Sequence, residues 1–154
     1  MMGILLIGGI FILDYKLKER VDSTCLQGSN REFLGGRVIL RNCHNEGAAF
    51  GMFKLGKENC LELSSVALGG VLGEYLRQVL HGGRKLSRAG LAMILGGGLS
   101  NYVDRRNKGY VTDYVSFGVK NEKIRKLVFN ISDFCIMGGA FLWLLGSFLP
   151  KRKK

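Results

Sequence analysis

"VFNISDFCIMGGAFLWLLGSFL", residues 128–149, decides how the rest of the chain is read. Across this stretch one side chain carries a charge, that of Asp133. A run of this length and composition reads as a membrane-spanning helix. Charge inside such a helix is costly, so an intramembrane carboxylate marks a functional site by default. The question is why a segment built for lipid keeps an acid near one end.

The composition supports a membrane setting only in part. At 154 residues the chain has the size of one domain. Lys and Arg number 23 against 12 Asp and Glu, a net charge of +11 that would also suit nucleic acid or an anionic surface. A nucleic-acid module, however, interleaves aromatic residues with its basic patches, and this chain instead has uncharged stretches at both ends. Gly is frequent, at 23 residues, as expected where membrane helices approach closely. The mean hydropathy of +0.12 is low for a chain held mostly in lipid, so substantial polar segments must lie outside it.

Three further apolar segments precede the first. Helices are expected near 1–17, 60–80, 89–103 and 128–149, in a single integral membrane domain spanning 1–154. Met1–Leu13 has no basic region ahead of it and no small-residue cleavage site, so it reads as a retained helix. Asp14 is expected at one interface, with Lys16 and Lys18 snorkelling toward water. Segments two and three are weak alone and would also suit a soluble helix pair. In the second, Glu74 and Arg77 are spaced to pair on one face. Between the first two segments, near 19–57, Arg37–Asn42 predicts a strand and Asn45-Glu46-Gly47 a turn. "YVTDYVSF", residues 110–117, reads as either extended or briefly helical. The fold class is therefore an all-α membrane protein, a four-helix bundle with a small extracytoplasmic β element.

Charge sets the orientation, and its signals are divided. The tail Lys151–Lys154 and the loop Arg84–Arg88 hold no acid and read as cytoplasmic, which places both termini inside. The segments this puts outside carry more Lys and Arg in total. In that topology Asp14, Asp104, Asp113 and Asp133 converge on the outer face. Two carboxylates sharing a site resist double ionisation, so one holds a proton while the other acts as base. Such a pair can activate water and protonate a leaving amine without a metal or cofactor. Residue types alone leave open a rival: a non-enzymatic small membrane protein, a proton-coupled carrier or an assembly factor.

The order of the motifs narrows this. Asp14 and Lys18 form D-x-x-x-K, and "NEGAAFG" occupies residues 45–51. "GGGLSNYVDR" covers 96–105, "GYVTDY" 109–114 and "FNISD" 129–133. Together, in this order over nearly the whole length, they resemble the lipoprotein signal peptidases, or signal peptidase II. The resemblance implies a membrane-embedded aspartic endopeptidase that cleaves prolipoproteins just before a diacylglyceryl-modified cysteine. It implies Asp113 and Asp133 as catalytic, and Asp14, Lys18, Asn45, Asn101, Arg105 and Asn130 as substrate-binding or supporting. It implies no cofactor and no metal. Lipid-modified prolipoproteins and membrane lipids are the expected partners, nucleic acid is not, and the oligomeric state is undetermined. The expected location is the bacterial cytoplasmic membrane, multi-pass, with the active site toward the outer face.

Three residues depart from the family pattern: Ser100 where Gly is usual, Tyr114 where Phe is usual, and Ser132 where Ala is usual. The basic segment Lys120–Lys126 matches no motif. Phe50 with Ala48 and Ala49 would form a small apolar lid. Asn101 serves equally as a helix–helix hydrogen bonder or a substrate contact. His44 and His81 stand alone and read as surface polar groups. Cys25 and Cys43 either pair, if their side is oxidising, or stay free with Cys60 and Cys135.

Overall fold

The computed structural model describes residues 2–47 and 57–149. The elements run α1 (Met2–Thr24), β1 (Asn30–Phe33), β2 (Val38–Asn45), α2 (Lys57–Leu80), α3 (Lys85–Lys108), β3 (Val111–Phe117), α4 (Glu122–Arg125) and α5 (Ile131–Phe148). Four long helices make an up-and-down bundle. The strands and the short α4 sit at the end where α1 and α3 finish and α2 and α5 begin.

α1 is longer than its apolar run. The hydropathy break at Asp14 suggested an interface there and an end near residue 17, but the helix continues to Thr24. It does so because Asp14 and Lys18 lie four residues apart on one face and pair inside the protein at 2.7 Å. Lys18 therefore does not snorkel: its side chain and that of Asp14 are both 0 % exposed. Lys16 does reach outward, and pairs with Glu19 at the surface.

α3 also outruns its expected end at 103. Gly109 closes it with a left-handed φ of 80°, donating its N–H to the Arg105 carbonyl. α5 starts later than the expected 128, because Val128 and Phe129 belong to the sheet side. Phe129 bridges Val115, exchanging backbone hydrogen bonds of 2.7 Å in both directions. The helix proper opens at Asn130. Its side chain accepts from the Asp133 N–H while Asp133 accepts from the Asn130 N–H, which is a capping box.

The sheet is antiparallel in the order β1-β2-β3. Its third strand comes from the segment after α3, outside the expected 19–57 region, which resolves residues 111–117 as extended. Between Leu40 and Cys43 the β2–β3 register shifts by a bulge, so that Cys43 opposes Asp113 and Asn45 opposes Val111. Cys25 and Cys43 do not form a disulfide. The Ala48–Phe50 lid lies outside the described residues.

Polarity is inverted relative to a water-soluble fold. Among the buried residues are Asp14, Lys18, Ser100, Asn101, Asp104, Asp113, Asn130 and Ser132. Exposed in turn are Ile4, Leu5, Ile12 and Leu13 on α1, Leu63, Val66, Leu72 and Leu76 on α2, and Phe141, Leu144, Leu145 and Phe148 on α5. Broad apolar exposure of this kind marks a surface that meets lipid or a partner. Among the described residues one helix, Ile131–Phe148, is by itself long and apolar enough to cross a membrane.

α3 is the central helix, packed against α1, α2 and α5. Its contact with α5 runs over glycine. A Cβ on Gly97 would come within 2.6 Å of the Ser132 carbonyl oxygen, and one on Gly139 within 2.5 Å of the Gly90 carbonyl oxygen. Both obstacles are backbone, so neither can rotate away. Gly97→Ala is expected to force the helices apart, costing about 1–3 kcal/mol. At about 2–4 °C per kcal/mol for a chain this size, thermal melting in detergent would show the loss as a lower midpoint. An unchanged midpoint would contradict this packing.

Candidate active site

The site forms where β3 meets the start of α5. The Phe129–Val115 bridge binds the residue before Asn130 to β3 just beyond Asp113. Asn130 then serves both acids. Its side-chain N–H donates to Asp113 Oδ1 at 2.7 Å. Its backbone N–H donates to Asp133 Oδ2 at 3.0 Å. Asn130 is itself 0 % exposed, so this bridge is fixed by its surroundings.

Each carboxylate has one further amide. Asn45 donates to Asp113 Oδ2 at 3.0 Å. It reaches diagonally across the sheet, from the position two residues past Cys43, the residue opposite Asp113. Its own oxygen accepts from the Gly47 N–H, which fixes the orientation of the amide. Asn101 on α3 donates to Asp133 Oδ1 at 3.2 Å. The neighbouring carboxylates are thus cradled by three asparagines.

The two acids differ in setting. Asp113 is 4 % exposed, whereas Asp133 is partly open to the outside. Burial, with the Asp133 charge added to it, pushes the Asp113 carboxyl up to about 7, despite the opposing asparagine donors and the Lys18 charge. At neutral pH this group sits near its midpoint, where a single proton is readily held and released.

Lys18 anchors the polar interior behind the pair. Its ammonium donates to Asn101 Oδ1 at 2.7 Å, and it contacts Asp14 at 2.7 Å and Asp104 at 3.2 Å. Asp104 also pairs with Lys108 at 2.9 Å and accepts from the Thr112 N–H. Lys108 and the Thr112 hydroxyl both donate to Asp22. Among the described residues no acid pairs with Arg105. Its guanidinium donates to the Gly47 carbonyl at 3.2 Å, tying α3 to the segment after β2.

Every residue expected at the site from sequence therefore lies in one connected region. Asp113, Asp133, Asn45, Asn101 and Asn130 touch directly, Asp14 and Lys18 stand one layer behind, and Arg105 borders it. Sequence reading did not find Asp22 and Lys108, which lie in no motif, or Thr112, which fills an unassigned position within "GYVTDY". His44 is not a free surface group: it stacks on Tyr110 with ring centroids 3.8 Å apart and lies 3.5 Å from Asp22. Among the described residues no group of three or more His, Cys, Asp or Glu is placed to hold a metal ion.

Comparisons with known proteins bear on the family and the fold. The family described as signal peptidase (SPase) II matches residues 6–149. A lipoprotein signal peptidase of Symbiobacterium thermophilum is 31 % identical, covering 99 % of this chain and 98 % of its own. One from Brucella ovis is 33 % identical over 93 % of this chain and 87 % of its own. A solved bacterial membrane enzyme superposes with a TM-score of 0.80 at 19 % identity, over 96 % of this chain and 92 % of its own. A second does so with the same TM-score at 21 % identity, over 99 % of this chain and 93 % of its own. At those identities the structures speak for the fold alone.

Proposed function

The chain belongs to the signal peptidase II family, and we propose that it cleaves lipoprotein precursors as an aspartic endopeptidase, with Asp113 and Asp133 as its catalytic pair. It is a membrane peptidase that removes lipoprotein signal peptides. What supports the aspartic reading is that one buried asparagine, Asn130, donates to both carboxylates.

In this mechanism the pair holds one proton. The ionised carboxylate takes a proton from a water molecule as that water attacks the scissile carbonyl. The protonated partner donates to the carbonyl oxygen, and the leaving amine is protonated as the carbon–nitrogen bond breaks. Asp133, the more open of the two, faces the entering water and peptide. Asn45 and Asn101 hold the carboxylates in register and present amides to an extended substrate backbone.

We assign α1, α2, α3 and α5 as membrane spans, their exposed apolar faces toward lipid. The sheet and the catalytic pair then lie at the outer face and both termini on the cytoplasmic side. A substrate carrying diacylglycerol on its cysteine is confined to the membrane plane, and chemistry at the end of a bundle meets it there.

The test is to incubate the purified protein with a diacylglyceryl-modified precursor and with the same precursor unmodified. Cleavage just before the cysteine is expected for the modified form alone. Equal cleavage of both would remove lipid recognition from the reading. The pH profile is a further check. Because the raised carboxyl of Asp113 loses its proton as pH passes about 7, the pair becomes doubly ionised above that point. The value of kcat/KM should then fall about tenfold per pH unit on the alkaline side. Activity level up to pH 9 would speak against a shared proton.

A further inference from the structure

The three departures from the family pattern are one feature in space. Ser100 on α3, Tyr114 on β3 and Ser132 on α5 lie on three different elements, and all three hydroxyls donate to Asp14. Ser100 and Ser132 reach Oδ2 at 2.7 and 2.6 Å. Tyr114 reaches Oδ1 at 2.8 Å. All are buried, Ser100 and Ser132 at 0 % exposure and Tyr114 at 4 %.

With Lys18 the carboxylate of Asp14 then has four donors, which matches the roughly four lone-pair sites of an ionised carboxyl. The saturation matters because of what Lys18 must do elsewhere. Its ammonium has three N–H groups and faces four acceptors: Asp14, Ser100, Asn101 and Asp104. A carboxylate short of donors draws the ammonium toward itself. Asn101 would then lose the contact that fixes which end of its amide faces Asp133. Tyr114 adds a second tie, since its hydroxyl accepts from the Ile131 N–H, in the first turn of the helix that carries Asp133. Burial, then the Asp14 charge, pushes the Tyr114 phenol upward, so it stays a neutral donor.

We propose that Ser100, Tyr114 and Ser132 act together as positioning residues for cleavage. By filling the coordination of Asp14 they leave the Lys18 ammonium free to hold Asn101, and Asn101 orients Asp133. None of the three hydroxyls contacts the catalytic carboxylates. Their effect is on the rate of the chemical step, and the inference rests on the aspartic reading given above.

The experiment measures kcat and KM on a diacylglyceryl-modified precursor for Ser100→Ala, Ser132→Ala and Tyr114→Phe, each below its own melting temperature. Each is expected to lower kcat about three- to tenfold, the scale of one buried hydrogen bond, with KM within about twofold. The same substitutions are then made in an Asn101→Ala background. There the link through Asn101 is already cut, so Ser100→Ala and Ser132→Ala should lower kcat no further, and Tyr114→Phe should keep only the part of its effect that runs through the Ile131 N–H. Hydroxyl deletions that cost as much in that background as in the wild type would overturn the proposal, as would deletions that lower only the melting temperature. Asp113→Asn in the same series separates two failures. If it cleaves normally, the aspartic reading is lost. If it is inactive while the hydroxyl deletions leave kcat unchanged, only the present inference is lost.

Discussion

Asp113→Asn and Asp133→Asn are each expected to lower kcat on a lipid-modified precursor by on the order of 10³-fold or more, because in the proposed mechanism each removes one half of a shared acid and base. The surroundings sharpen the expectation for Asp113. Both of its oxygens accept from side-chain amides, those of Asn45 and Asn130. A carboxamide in its place must turn its own NH2 toward one of those donors, so the cradle is lost along with the chemistry. Asp133→Asn meets the same conflict, since its two oxygens accept from the Asn101 side chain and the Asn130 N–H, and it is equally severe on rate. The double variant should be no slower than either single one, since groups that act as a unit do not contribute additively. Near-wild-type turnover in either single variant would sink the assignment.

The largest effect on stability is expected at Lys18. Its side chain is fully buried between Asp14 at 2.7 Å and Asp104 at 3.2 Å. Lys18→Met keeps the apolar stem and deletes the charge. What remains is carboxylates without the cation that joined them, a change that costs about 3–5 kcal/mol when a buried pair loses one member. At about 2–4 °C per kcal/mol, the melting midpoint in detergent should fall by roughly 6–20 °C. Asp104 retains Lys108, whereas Asp14 keeps only hydroxyl donors, so Asp14 bears most of the loss. Adding Asp14→Asn to Lys18→Met should therefore recover much of the midpoint. A single variant that melts within about 2 °C of wild type, or a double variant less stable than the single, would show the pair to be incidental.

Much of this architecture was legible in the sequence, and what was not has physical causes. The strongest helix announced itself because residues 131–148 are apolar nearly throughout. The site residues were found through motif order, since nothing in a spacing says that residues 45, 101, 113, 130 and 133 meet. Helix ends were misplaced where polarity was taken for an interface. Asp14, Lys18 and Asp104 are polar because they pair with one another inside, and a hydropathy pattern does not separate an acid at the lipid boundary from one buried against a lysine. β3 shows no clean alternation because its first four residues are all buried, so a period of two does not report its exposure. Ser100 and Ser132 stood in the sequence only as departures from the family pattern, and only the fold shows that they share one acceptor with Tyr114.

Asp133 is also the residue that starts its own helix. The oxygen that accepts from the Asn130 N–H, Oδ2, closes the capping box of α5, and it belongs to a carboxyl that exchanges a proton in the proposed mechanism. A substitution at this position is thus two experiments in one. Alanine would remove the acid and also uncap the helix, at about 0.5–2 kcal/mol, and a drop in rate would have two explanations. Asparagine keeps an oxygen for the cap and gives up the proton chemistry together with the hydrogen bond from Asn101. The fair control at position 133 is set by the helix as much as by the reaction.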